Sequence, residues 1–133
     1  MPTKVVDTSA LAALLFDEPE AEAVAIQLAE ARLVAPSLMA FELANVCLVK
    51  CKRHPDRLDA LVAAFRLRDR LGVEEVAIDH AGALELALAT RLTVYDASYL
   101  WLARRLGAEL VTLDRELDQA AARSASNRPP GGE

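Results

Sequence analysis

Short runs rich in β-branched residues alternate with longer stretches of helical periodicity, and this alternation constrains the fold most strongly. Strands separated by helices form a parallel sheet, because parallel neighbours need a crossover connection. The sequence therefore predicts an α/β fold, a three-layer α/β/α sandwich around a central parallel sheet of four to five strands. The predicted strands are 3–6, 33–35, 76–78 and 109–113, and the predicted helices are 10–16, 20–31, 37–53, 56–71, 79–91, 96–106 and 114–123.

Single residues mark the ends of several elements. Thr8 or Ser9 is expected to cap the first helix, because a hydroxyl oxygen accepts hydrogen bonds from free N–H groups of the first turn. Pro55 is expected to end the long third helix just before it. Gly72 and Gly107 are expected to stop two further helices.

The chain has 133 residues, of which 53% are hydrophobic, and this predicts one domain over residues 1–123. A chain of this size buries enough surface to fold without disulfides or a structural metal. Residues 124–133 contain Ser, Asn, Pro and Gly without apolar periodicity, so we expect a disordered C-terminal tail.

The net charge and the cysteine content limit which cell compartment and which partners the sequence predicts. A net charge of −5 argues against a protein held on nucleic acid or on a membrane by its overall charge, and leaves room only for local basic patches. Cys47 and Cys51 lie in an apolar helical pattern without zinc-ligand spacing, so we interpret them as core residues in a reducing cytoplasm. We expect a cytoplasmic protein, because neither a signal region nor an apolar run of about 18 residues is present.

Two predicted strands end in aspartate, at Asp7 and at Asp114. Ligands of parallel α/β sheets bind beyond the carboxyl ends of the strands, which makes both residues candidates for a site. Asp96, at the head of a predicted helix, is a third candidate. Each of them, taken singly, can equally serve as a helix N-cap.

Glu42 and Asn45 fall within an apolar stripe of the third predicted helix. On a helical wheel they lie between the apolar residues Leu38, Phe41, Val46 and Val49. A buried carboxylate without a partner is unfavourable, so Glu42 needs either a buried Arg or another cation. Four carboxylates that converge on one end of the sheet repel one another unless a cation is present. Oxygen ligands favour Mg²⁺ or Mn²⁺ over zinc.

Several segments together resemble PIN-domain ribonucleases, in particular the VapC-type toxins of bacterial toxin–antitoxin pairs. The similarity covers residues 3 to 123 and rests on Asp7-Thr8-Ser9-Ala10-Leu11, on Glu42 with Asn45, on Tyr95-Asp96-Ala97-Ser98-Tyr99 and on Leu110-Val111-Thr112-Leu113-Asp114-Arg115. It implies a metal-dependent endoribonuclease that leaves a 5′-phosphate and a 3′-hydroxyl. It also implies a homodimer and a small antitoxin protein that blocks the site.

The resemblance assigns roles to individual residues. Asp7, Glu42, Asp96 and Asp114 match the four acidic residues, which hold Mg²⁺ or Mn²⁺ in that family. Thr8 matches the hydroxyl residue after the first Asp, and Asn45 matches a polar neighbour of the Glu. Asp118, one helical turn after Asp114, is a candidate supplementary ligand or an exposed, solvated residue.

RNA must still approach an acidic protein. Two basic clusters are candidate phosphate contacts, the first Lys50, Lys52 and Arg53, with His54 and Arg57, and the second Arg66, Arg68 and Arg70. Their alternative role is to complement the dipole at the end of a helix. Tyr95, Tyr99 and Trp101 can stack on bases or pack in the core.

The third predicted helix also carries apolar residues on a second face, among them Leu43, Cys47 and Leu48. A helix that is hydrophobic nearly all round is buried on both sides, so we expect it to pack on the following helix or on a second copy of the chain.

Other classes of protein fit the sequence less well. A haloacid-dehalogenase-like phosphatase needs a second Asp where Ser9 stands, and a receiver domain needs an acidic pair and a Lys that this chain lacks at the matching places. A dinucleotide-binding fold needs a Gly-rich loop after the first strand. A catalytically silent PIN-like module that binds RNA or protein is the remaining alternative.

Overall fold

A computed structural model describes residues 1–126, with side chains described through Arg123. Within them four strands form one parallel sheet in the order β3-β2-β1-β4. The strands are β1 (Thr3–Val6), β2 (Arg32–Pro36), β3 (Glu74–Val76) and β4 (Glu109–Val111). Val5 lies at the centre, paired with Val34 on one side and Leu110 on the other. The predicted parallel sheet of an α/β sandwich is confirmed.

Helices occupy most of the remaining described chain. They are α1 (Thr8–Leu15), α2 (Ala21–Leu28), α3 (Met39–Arg53), α4 (Leu58–Arg66), α5 (His80–Thr90), α6 (Val94–Leu106) and α7 (Arg115–Ser126). Short 3₁₀ turns at Pro55–Arg57 and Arg68–Leu71 flank α4. In residues 1–126 no helix has both the length and the apolar character that a membrane crossing requires.

The order of the strands places helices on both faces of the sheet. The chain steps from β1 to β2 to β3 and then returns to β4 on the far side of β1. Right-handed crossovers put α1–α4 on one face and α5–α7 on the other. Neighbouring residues of β3 agree with this, since Glu75 shares a cavity with Met39 of α3 and Val76 shares one with Trp101 of α6. The direction of winding therefore reverses between β1 and β4, where such sheets bind ligands.

The inward row of α3 lies on one of its two predicted apolar faces. Met39, Leu43, Cys47 and Cys51, spaced four apart, are buried, and α3 packs on α1 and on the following helix α4, as expected. In the apolar stripe around Glu42, Leu38 and Val46 are partly buried, whereas Phe41 is 84% exposed and Val49 is 38% exposed. The expectation that this stripe is buried was wrong in part, because α3 is apolar nearly all round and its sequence does not specify which face turns inward. The prediction that both cysteines are core residues is confirmed, and both are free thiols.

Several helices and strands begin or end at other residues than predicted. Asp7, rather than Thr8 or Ser9, occupies the N-cap position of α1. The third helix, expected to open at Pro36-Ser37, begins at Met39, because Pro36 ends β2, and β3 lies two residues earlier than predicted. The single helix predicted over 56–71 is α4 with its flanking turns, because the backbone tightens on either side of it. The predicted stops at His54, Gly72 and Gly107 are confirmed.

The last predicted helix continues to Ser126, three residues beyond its expected end. Residues 127–133, the rest of the predicted tail, lie outside the described residues. The expectation of a disordered tail there stays a prediction.

Candidate active site

A cleft of about 560 Å³ opens beyond the carboxyl ends of β1 and β4. We call it the carboxylate cleft, and the residues that line it are Asp7, Thr8, Ser9, Phe41, Glu42, Asn45, Val46, Tyr95, Asp96 and Asp114. The structure thus brings together all four predicted carboxylates, with Thr8 and Asn45 beside them. The reversal of winding at β1 and β4 explains why residues so distant in sequence meet here.

Asp7 is the most fully buried of the four carboxylates, with 5% of its surface exposed. Its backbone N–H donates to the carbonyl of Val111 at 2.9 Å, which ties the end of β1 to β4. Its Oδ2 accepts hydrogen bonds from Ser9 Oγ at 2.8 Å and from Thr112 Oγ1 at 2.7 Å. Ser9 also accepts from the backbone N–H of Leu113 at 2.8 Å. The Asp7 carboxylate is therefore held in one orientation by hydroxyl groups from the first turn of α1 and from the residue after β4.

Glu42 is half-buried and is bound by two hydroxyl groups. Tyr99, fully buried on α6, donates to Glu42 Oε1 at 2.7 Å. Thr8 Oγ1 lies 3.1 Å from the same oxygen and 2.7 Å from the Tyr99 hydroxyl. These contacts join the helix layers from the two faces beyond the ends of the strands. The expected partner was a buried Arg or another cation, and in the described chain two neutral donors occupy that place.

Burial raises the pKa of Glu42 above its ordinary value. The hydrogen bonds from Tyr99 and Thr8 oppose this rise, while the charges of Asp7 and Asp96 add to it. Neutral donors satisfy the oxygen but carry no compensating charge, so the repulsion among the carboxylates persists.

Asp96 is free of the capping role considered for it. Thr93 caps α6 instead, since its hydroxyl accepts from the backbone N–H of Asp96 at 3.1 Å. The predicted helix start at Asp96 is therefore wrong, because the cap lies three residues earlier. Burial is the main cause that raises the pKa of Asp96, and the charges of Asp7 and Asp114 raise it further.

Asp114 has both of the roles that the sequence left open, since it caps a helix and also lines the cleft. Its Oδ1 accepts from the backbone N–H of Leu117 at 3.0 Å, which caps α7. Its own backbone N–H donates to Thr112 Oγ1 at 2.9 Å. It lines the carboxylate cleft at the same time. A helix cap thus fixes the position of a cleft carboxylate.

The chemistry of the cleft fits a hard divalent cation. In the described part of the chain, no three acidic, histidine or cysteine side chains stand close enough to hold one ion as they are. The carboxylate oxygens nevertheless share one cleft, and the neighbouring charges help to raise the pKa of Glu42 and of Asp96, a repulsion that a cation relieves. Mg²⁺ keeps several waters and needs only one or two direct carboxylates.

The other predicted functional residues lie outside the carboxylate cleft. Asp118 lines a separate groove with Arg104 between α6 and α7. Lys50, Lys52 and Arg53 occupy the last turn of α3, whereas Glu42 is in its first turn. Their helical separation of 8 to 11 residues corresponds to about 12 to 16 Å.

Two of the predicted RNA contacts already bind side chains of this protein. Lys50 pairs with Glu18 at 3.0 Å and lies 5.6 Å from the ring centre of Phe16. Arg68 lies 4.3 Å from the ring centre of Phe65. Both cations therefore have stabilising roles within the fold.

Sequence reasoning missed Ser9 and Thr112 and did not assign Tyr99 to the site. A signal existed for the first two, since each hydroxyl residue lies two positions from a strand-end aspartate. No comparable signal exists for Tyr99, because its contact with Glu42 spans 57 residues.

Replacement of Tyr99 by Phe is expected to lower the free energy of unfolding by about 1 kcal/mol at pH 7, the usual contribution of one hydrogen bond. Because the lost bond stabilises the charged form, the pKa of Glu42 should rise further. The deficit should therefore shrink as the pH falls and Glu42 becomes protonated. Urea denaturation without metal measures this, with Tyr95→Phe, which removes an exposed hydroxyl, as the matched control. Equal loss at all pH values would contradict the Glu42 contact as the cause.

Comparison with known proteins places this geometry in a family. The PIN domain family model matches residues 4–123. Over 118 residues the chain is 36% identical to Ribonuclease VapC3 of Pyrobaculum aerophilum, covering 85% of this chain and 90% of the relative.

Two solved structures share the fold. The crystal structure of PAE2754 from Pyrobaculum aerophilum matches with a TM-score of 0.69 at 24% identity, over 95% of this chain and 97% of that one. The structure of VapC20 from Mycobacterium tuberculosis, a sarcin-ricin loop cleaving toxin, matches with a TM-score of 0.64 at 18% identity, over 89% and 95% of the two chains. The predicted resemblance is confirmed, and the chain belongs to the PIN-domain family.

Proposed function

We propose that this chain is a Mg²⁺- or Mn²⁺-dependent endoribonuclease and the toxin of a toxin–antitoxin pair. The observation that carries the proposal is the carboxylate cleft, where Asp7, Glu42, Asp96 and Asp114 converge at the reversal of winding of a PIN fold. The relative that is 36% identical over most of both chains is named a ribonuclease, which supports RNA as the substrate.

The four carboxylates would hold the metal. A bound divalent ion supplies a water of lowered pKa and neutralises charge that develops on the phosphate. Ser9 and Thr112 fix Asp7 before any ligand arrives, so its orientation requires no rearrangement.

Tyr99 and Thr8 fix the orientation of the Glu42 carboxylate in the same way. Both hydroxyls contact Oε1, so the Glu42 carboxylate, which would help to hold the cation, is oriented before the cation binds. Because the pKa values of Glu42 and Asp96 are raised, occupation of the cleft should release protons from these carboxyl groups. The expected products are a 5′-phosphate and a 3′-hydroxyl.

The family resemblance also supports an antitoxin partner, a homodimer and a cytoplasmic location as parts of this proposal. Leu84 and Leu88 lie one helical turn apart on α5 and are 51% and 76% exposed. Exposed apolar side chains at this spacing favour contact with another protein. Asp118 and the two predicted basic clusters lie outside the carboxylate cleft, and their roles as a supplementary ligand and as RNA contacts stay predictions.

Metal-dependent cleavage is the expected result for the purified chain without antitoxin. Total RNA and intact ribosomes are incubated with Mg²⁺, Mn²⁺ or EDTA, and 5′-end sequencing then detects cuts at single positions. Cleavage should occur with either metal, stop in EDTA and return with excess Mg²⁺. Thermal unfolding provides a second readout, because a bound ion stabilises the fold by about 2.7 kcal/mol at 100 times its Kd.

The two readouts separate the candidate functions. A chain that Mg²⁺ stabilises but that cuts no RNA at any position would contradict the nuclease. The catalytically silent module that binds RNA or protein would then be the better explanation. Cleavage that continues unchanged in EDTA would contradict the metal.

A further inference from the structure

Two aromatic rings are exposed in this protein, and both line the carboxylate cleft. All six aromatic residues lie in the described part of the chain. Phe16, Phe65, Tyr99 and Trp101 are buried or partly buried, whereas Phe41 is 84% exposed and Tyr95 is 62% exposed. We call Phe41 and Tyr95 the aromatic rim. Its position at the one cleft that gathers the four acids indicates a role toward the ligand of that cleft.

Each ring of the aromatic rim directly precedes a cleft carboxylate on its helix. Phe41 comes before Glu42 on α3, and Tyr95 comes before Asp96 on α6. The hydrogen bond of 2.7 Å between Tyr99 and Glu42 joins these two helices. Both rings therefore stand on rigid elements whose placement relative to the carboxylates is fixed.

The carboxylates that line this cleft repel the phosphates of RNA. The protein carries a net charge of −5, and four carboxylates line the cleft. The predicted basic clusters lie elsewhere, and Lys50 and Arg68 make contacts within the protein. Uncharged contact with bases can supply the binding that charge does not, because every base has a face that stacks on an aromatic ring.

We propose that Phe41 and Tyr95 stack on the bases that flank the phosphate to be cut, so that the substrate must be unpaired there. This inference rests on the proposed nuclease function and assigns the contact with unpaired bases to these two side chains. In a duplex the base faces are covered by their neighbours, and the rings have nothing to stack on. Binding would thus select RNA by accessibility of its bases.

Binding is measured in the full chain carrying Asp96→Asn, which removes cleavage from the readout. The probes are a labelled single-stranded RNA 12-mer of mixed sequence, the same 12-mer annealed to its complement, and a 12-mer with abasic residues. Phe41→Ala and Tyr95→Ala are each expected to weaken binding of the single-stranded probe by about 5- to 100-fold. Phe41→Trp and Tyr95→Phe should retain binding, as should Ile26→Ala, a control on α2 that is 72% exposed.

The abasic and duplex probes make the test specific for stacking. Both should bind weakly to the chain with an intact rim, and the alanine variants should leave their affinity unchanged. Equal losses on the abasic and normal probes, or no loss on either, would overturn the proposal. A shift in sedimentation of the alanine variants without any change in RNA binding would assign the rim to a protein interface and overturn it as well.

The outcome is distinguishable from that of the proposed function. Rim-dependent binding by a chain that cuts no RNA would retain this inference and reject the nuclease. If the chain cuts RNA but the alanine variants of the aromatic rim bind RNA as well as the parent does, the nuclease is retained and this inference is rejected.

Discussion

Replacement of Asp96 by Asn is expected to slow RNA cleavage by at least about 1000-fold while the fold stays intact. The substitution removes one of four charges that would hold the metal, and metal stabilisation of transition-state charge amounts to several kcal/mol. Each 1.36 kcal/mol corresponds to a tenfold change in rate. Asp96 suits this test because Thr93, rather than Asp96 itself, caps α6. Asp7 suits it less, because it is buried and its Oδ2 accepts two hydrogen bonds, so a substitution there also alters contacts within the fold.

The same substitution should not destabilise the metal-free protein at neutral pH. Burial and the charges of Asp7 and Asp114 raise the pKa of Asp96, so its charged form is disfavoured in the folded state. In the pH range between the unfolded and the raised folded pKa, the folded state binds more protons. The stability of the unsubstituted chain therefore falls as the pH rises through that range. Asn carries no charge and should flatten this dependence.

Cleavage assays and urea denaturation in EDTA at several pH values measure both effects. The matched control is Asp59→Asn, an exposed aspartate in the first turn of α4, which should leave both unchanged. Retained cleavage in Asp96→Asn would contradict the assignment to the metal site. A variant that unfolds at pH 7 would instead assign Asp96 a structural role.

Leu43→Ala is expected to lower the free energy of unfolding by about 3 kcal/mol, within the 2 to 5 kcal/mol usual for a buried leucine. Leu43 is fully buried on the inner row of α3, directly after Glu42. Its truncation removes apolar contacts and leaves a cavity at the point where α3 is anchored. Since the same turn positions Glu42, we also expect weaker metal binding.

Urea denaturation of Leu43→Ala and Leu48→Ala gives a matched comparison on one helix. Leu48 is 50% exposed, so its truncation should change the unfolding free energy by less than about 1 kcal/mol. Similar losses in the two variants would contradict the assignment of the inner face of α3. This pair also tests the second predicted face of α3, on which Leu43 is buried and Leu48 is 50% exposed.

The strand-end aspartates could be predicted because they depend on local chemistry. Asp7 and Asp114 each follow a short β-branched run and precede a helix, a pattern that identifies the carboxyl edge of a parallel sheet. Glu42 was found for a partly incorrect reason, since two of the four apolar residues around it, Phe41 and Val49, are exposed. What remains correct is that a half-buried carboxylate needs donors, and Tyr99 and Thr8 supply them.

The sequence by itself determined the alternation of strands and helices, the parallel sheet and the acidic residues at its carboxyl edge. These follow from periodicity and from residues adjacent in the chain. Only the tertiary structure decided which face of α3 is buried, which hydroxyls hold Asp7 and Glu42, and that Phe41 and Tyr95 share one cleft. Most of those features depend on contacts between residues 34 to 105 positions apart, which packing and the reversal of winding at β1 and β4 bring together.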